Sequence, residues 1–176
     1  MPTIFSHAIL AEALRVAFPE RKVPMRFWVL TALCAILPDA DVISFSFGVE
    51  RGSMLSHRGI THSMAFAIVV GAIVGSLGFA GSGIQRWKLV LYFAAVTASH
   101  AFLDMLTNGG SGVALCAPFS GERFFFPWRP IEVSPIGLSF YSSRGFPVII
   151  SEAIWIWIPS IVIVAIAVVI RRLRKR

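Results

Sequence analysis

Residues Ser56 to Ala80 read SHRGITHSMAFAIVVGAIVGSLGFA. His57, Arg58 and His62 stand at the threshold of a run that carries no formal charge from His62 to about Ala80. About 20 consecutive apolar residues suffice to cross a bilayer core, so this run predicts a transmembrane helix with a polar entrance. Thr61 or Ser63 is placed to cap it. Gly71 and Gly75 form a G-x-x-x-G, which lets a second helix approach closely.

The rest of the chain agrees with a membrane setting. It has 176 residues, 56% hydrophobic and only 14% charged, with a mean hydropathy of +0.77. The net charge of +7 would in a soluble chain point to nucleic acid. Here the basic residues gather beside apolar segments and act as topology signals, so no nucleic-acid partner is expected. Cys34 and Cys116 form neither a C-x-x-C nor a disulfide framework. Residues 1–176 are expected to form a single integral membrane domain, all-α, a polytopic bundle of about four to five transmembrane helices.

Further apolar segments run from Thr3 to Phe18, which could cross or lie in the interface, with Ser6 as a candidate cap. Others run from Met25 to Leu37, stopped by Pro38, from Trp87 to about Thr107, and from Pro147 to Ile170 ahead of the basic tail 171–176. Between the last two lies a long loop, Asn108 to Phe146, rich in aromatics and suited to a lid or binding element. A cytoplasmic tail places the Arg21/Lys22 and Arg86/Lys88 turns inside as well, along with most of the 16 basic residues.

That topology sends His7, Asp39, Asp41, His57, His62, His100 and Asp104 to one face, the external one. They include all 4 histidines of the chain and every aspartate. Ionisable side chains in apolar segments are placed there to meet a partner, an ion or a substrate. His100 and Asp104 are four residues apart and share one helix face. Imidazole with carboxylate is the ligand set of catalytic zinc and related hydrolytic metals. A polar metal site at one membrane face is therefore expected, with one or two divalent ions, zinc first and manganese or iron as alternatives. Arg58, and Arg123 and Arg129 on the long loop, are candidates to hold an anionic group such as phosphate.

The ordered motifs Leu37-Pro38-Asp39-Ala40-Asp41, His57-Arg58-Gly59-Ile60-Thr61-His62-Ser63 and Ser99-His100-Ala101-Phe102-Leu103-Asp104, followed by Asn108-Gly109-Gly110 and Pro118-Phe119-Ser120, resemble the YdjM-like family of bacterial and archaeal inner-membrane proteins. The resemblance covers a motif core at about residues 1–130 and implies a metal-dependent hydrolase. His7, Asp39, His57, His62, His100 and Asp104 match that family's polar positions. The order of motifs is more distantly similar to helical zinc-dependent phospholipase C, which implies zinc and a phosphodiester.

The function expected is thus a membrane-bound, metal-dependent hydrolase of a phosphoester in a lipid or lipid-linked substrate at the external face of the inner membrane. Metal would be held by His7, Asp39, His62, His100 and Asp104. Asp41 or His57 would act as general base or orient the ligands, and Arg58 would grip phosphate. Two other classes fit the same residues: a proton- or metal-coupled transporter, and a scaffold with a structural metal. The oligomeric state is not encoded in any of these signals.

Overall fold

The computed structural model describes residues 1–18, 20, 22–135, 140–141 and 144–174. Its regular elements are helical: α1 (Ile4–Leu14), α2 (Met25–Ile36), α3 (Met64–Leu77), α4 (Arg86–Met105), α5 (Gly145–Glu152) and α6 (Ile158–Leu173). Among the described residues there is no strand, only isolated bridges pairing Thr107 with Ile131 and Val113 with Phe124.

Pro38 ends α2 as expected but does not end the winding. Leu37–Phe47 continue as a tighter 3-10 helix, because proline near a helix start gives up a donor that has no partner there anyway. Among the described residues, Met25–Phe47 and Gly145–Leu173 are the two helical stretches long and apolar enough to cross a membrane. Four to five were expected. The shortfall has a physical cause: α3 stops at Leu77 and is about 21 Å long, while α1, at 11 residues, reaches about 16 Å. A core near 30 Å asks for more from each of them. The 20 residues of α4 have the length, but Arg86, Lys88, His100 and Asp104 dilute their apolar character.

Ser63 caps α3, its hydroxyl accepting from Phe66 N at 3.1 Å. α3 and α4 then meet backbone to backbone. A Cβ at Gly71 would fall 2.6 Å from Ala94 Cβ, and one at Gly75 would fall 2.5 Å from Val90 N. The G-x-x-x-G therefore serves packing within the chain. α2 lies against α4 and α1 against α2, and their far ends close on a core of Phe18, Phe27, Phe79, Tyr92 and Phe93.

α5 joins α6 through a π-helical turn, Ala153–Trp157. Just ahead of that turn, Glu152 is fully buried and its carboxylate accepts from Thr3 N, Thr3 Oγ1 and Ser6 Oγ. Trp157 Nε1 adds a 2.7 Å bond to Ser6 Oγ. Ser6 is thus drawn to the C-terminal helices, and Thr3 stands at the cap position without a capping bond. The clasp fixes the first turn of α1, one residue ahead of His7. α6 beyond it presents Ile161, Ile163, Ile166 and Val169 outward, the surface expected of a lipid-facing helix.

Candidate metal centre

Antiparallel helices bring opposite chain ends together, so the first turn of α1, the 3-10 continuation of α2, the turn before α3 and the last two turns of α4 share one end of the bundle. They carry His7, Asp39 with Asp41, His62, and His100 with Asp104; the loop ahead of α3 adds His57 and Arg58. His7, Asp39, His57, His62, His100 and Asp104 are all buried. Ligand atoms of Asp39, His57, His62 and Asp104 lie within 4.8 Å of one another, and so do those of His7, Asp39 and His100. Asp39 belongs to both groups.

Hydrogen bonds fix which ring nitrogens face the centre. His100 Nδ1 lies 2.6 Å from the carbonyl of Ala35, which can only accept, so Nδ1 carries the proton and Nε2 keeps its lone pair. His62 Nδ1 lies 3.2 Å from Asp41 Oδ2 and 3.1 Å from Thr61 Oγ1, which leaves its Nε2 inward too. The two inward nitrogens stand only 3.0 Å apart. Two lone pairs at that distance repel unless a cation lies between them.

A proton would serve that one pair. Around it, however, Asp39 Oδ1 lies 3.3 Å from His100 Nε2 and 3.7 Å from His62 Nε2, Asp104 Oδ2 is 3.4 Å from His62 Nε2, and Asp104 Oδ1 is 3.8 Å from His7 Nε2. Metal–ligand bonds of about 2.1 Å place neighbouring ligands about 3.0–3.4 Å apart. Neither nitrogen of His7 and neither oxygen of Asp39 makes a hydrogen bond, although all four atoms are buried. Buried polar atoms are almost always paired. The donor set therefore fits a divalent metal ion, and the pairs bonded to Ala35 and Asp41 are the outer partners that orient ligating histidines.

Asp41 stands behind the cluster. Its Oδ1 accepts from His57 Nδ1 at 2.7 Å, and its Oδ2 takes the Thr61 hydroxyl and Arg58 N. With its acceptors engaged, Asp41 fixes the His57 ring through Nδ1. Arg58 has φ of 65°, a left-handed backbone unusual for a side chain with a Cβ. That kink turns it inward: Nε lies 2.9 Å from Asp104 Oδ2, Nη1 donates to Gly109 O and Nη2 to Thr107 Oγ1. Gly110 lies beside the guanidinium with φ of 96°, a backbone conformation that favours glycine.

The long loop contributes through Arg123, whose guanidinium bonds Gly52 O, Ser53 O, His57 O and Gly112 O, knitting the loop onto the segment before α3. Burial, and after it the charge of Arg58, lowers its pKa below the usual arginine value. Arg129 lies apart, exposed, 4.8 Å over the Phe125 ring. Thr61, Thr107 and Glu152 support the site, and nothing in their sequence context singled them out beyond the proximity of Thr61 and Thr107 to the histidine motifs.

The model of the YdjM inner membrane protein family matches residues 1–175, which carries the likeness past the motif core and through the last helix. The inner membrane protein YbcI of Escherichia coli strain K12 is 40% identical over 167 residues, covering 93% of this chain and 95% of that protein. No solved structure matches the chain.

Proposed function

This chain belongs to the YdjM inner membrane protein family, and on that premise we propose that it is a membrane-bound, metal-dependent hydrolase of a phosphoester in a lipid or lipid-linked substrate, acting at the external face of the inner membrane. The observation that carries the reading is the approach of His62 Nε2 and His100 Nε2 to 3.0 Å beside the unbonded carboxylate of Asp39. His7, Asp39, His62, His100 and Asp104 would hold the ion or ions, zinc first, with manganese or iron as alternatives. A divalent ion there would supply a water acidified toward neutrality and would polarise the phosphoryl group.

The chain's own groups divide the remaining work. Asp41 holds the His57 ring by its Nδ1 proton, so the other ring nitrogen is placed to take up and return a proton as general base. Arg58 neutralises and aims Asp104. The aromatic core at the far end supports hydrolysis over conduction, because a pathway across the membrane needs polar groups where Phe18, Phe27, Phe79 and Phe93 pack. In this reading the basic tail stays in the cytoplasm.

The deciding experiment is elemental analysis of the detergent-purified protein, wild type beside His62→Ala and His100→Ala, together with release of phosphate from lipid phosphoesters. Near-stoichiometric metal and activity, both lost in well-folded variants, are expected. Metal-free wild-type protein under non-chelating conditions would overturn the proposal.

A further inference from the structure

Next to the His/Asp cluster lies a cavity of about 290 Å³ whose wall includes Arg51, Ser56, His57, Arg58, Gly110 and Ser111. No carboxylate among the described residues lines it, although Asp39, Asp41 and Asp104 stand just behind His57 and Arg58. The wall is therefore cationic where its surroundings are acidic.

Arg51 is exposed at this wall, with its guanidinium 5.4 Å from the centre of the Phe45 ring, and Phe45 in turn leans edge-on against His57 at 6.3 Å. A cation held over an aromatic face keeps its donors for another ligand. Arg58 spends three of its five N–H groups on Asp104, Gly109 and Thr107, which leaves two. Ser111 accepts from Arg123 and so keeps its own hydroxyl hydrogen.

We infer that this cavity is the anion chamber of the site, and that it takes a phosphate-terminated lipid headgroup through Arg51, the spare donors of Arg58 and Ser111. The inference rests on the hydrolase reading for the metal beside the chamber. Two guanidinium groups and no acid disfavour the cationic end of a choline or ethanolamine headgroup and suit a dianion. The volume lies at the low end of the roughly 300–1,000 Å³ usual for small-molecule sites, enough for a headgroup and too small for acyl chains. Phe47 and Leu55, 79% and 69% exposed on the segments that carry Phe45 and Ser56, are apolar surface for the tail outside.

The test uses the full chain in phosphatidylcholine nanodiscs, with metal content measured on each sample. Inorganic phosphate binding is read by calorimetry in the wild type, Arg51→Ala, Arg51→Lys and Arg86→Ala, the last being remote at the start of α4. Arg51→Ala should weaken phosphate binding roughly tenfold, the effect of losing one charge-assisted hydrogen bond. Arg51→Lys should fall between, Arg86→Ala should match the wild type, and phosphatidic acid added to the nanodisc should compete. Equal phosphate binding in wild type and Arg51→Ala would overturn the chamber while leaving the metal site standing. Arg51-dependent phosphate binding that phosphatidic acid cannot compete would overturn the lipid source in favour of a soluble phosphate. Arg51-dependent, lipid-competed binding to metal-free protein would keep the chamber and sink the hydrolase reading.

Discussion

The segment that begins with α1 enters both ends of the bundle, and the two ends are assembled from different materials. At Phe18 a ring packs 4.9 Å from Phe27 and 5.0 Å from Tyr92, and Thr31 Oγ1 is paired with Phe27 O at 2.8 Å and with Tyr92 Oη at 3.2 Å. At His7 an imidazole stacks on His100 at 3.7 Å, yet neither of its nitrogens is bonded. One end is filled by packed rings; the other gathers donor atoms that could hold a cation. Aromatic packing and the candidate site are thereby separated along the length of the same helices.

Substitutions can break or sharpen that separation. The largest effect is expected from Asp104→Asn, which removes a ligand and leaves Arg58 buried without its counter-charge. Metal should be lost and stability should fall by about 3–5 kcal/mol, as when one partner of a buried ion pair is removed, measured by elemental analysis and denaturant unfolding. Phe27→Ala should cost a similar or slightly smaller amount, about 3–4 kcal/mol, but with metal per folded molecule unchanged; metal loss here would show that the two ends are not independent. Gly75→Ala forces α3 from α4 at Val90 and should cost about 1–3 kcal/mol, seen as a lower melting temperature. Since His62 precedes α3, a parallel drop in metal affinity would measure how far helix separation reaches the site. The smallest change is expected from Thr31→Val, about 1–2 kcal/mol for the loss of its two buried hydrogen bonds, with the metal content intact.

A chelator draws the same line without mutation. Removing a ligand that binds only the folded state at 100 times its Kd lowers stability by about 2.7 kcal/mol. EDTA should therefore lower the melting temperature of the wild type and of Phe27→Ala, and leave Asp104→Asn where it was.

The convergence of the His/Asp residues was legible because each stands at the end of an apolar segment, and successive antiparallel segments bring such ends together. Capping by Ser63 and the tight approach at Gly71 and Gly75 were legible too, since each follows from residue type and spacing. Span count was not. An unbroken apolar run fixes a minimum of hydropathy, but where α3 stops depends on the turn after Leu77. The inward turn of Arg58 was also hidden, because a positive φ in a residue with a Cβ is imposed by contacts from Asp41, Ala114 and Asp104. Arg123 reads from sequence as a free cation for a substrate, and only the approach of residues 52–57 shows it committed to carbonyls.

The clasp between Glu152 and Thr3 joins residues 149 positions apart. Translation proceeds from the N-terminus, so His7 leaves the ribosome long before the carboxylate that steadies its helix has been made. A nascent chain halted ahead of Gly145 would have every metal-competent side chain of the cluster and still lack the anchor for the first of them. Under the proposed function, the anchor of the first ligand would therefore arrive only at the end of synthesis.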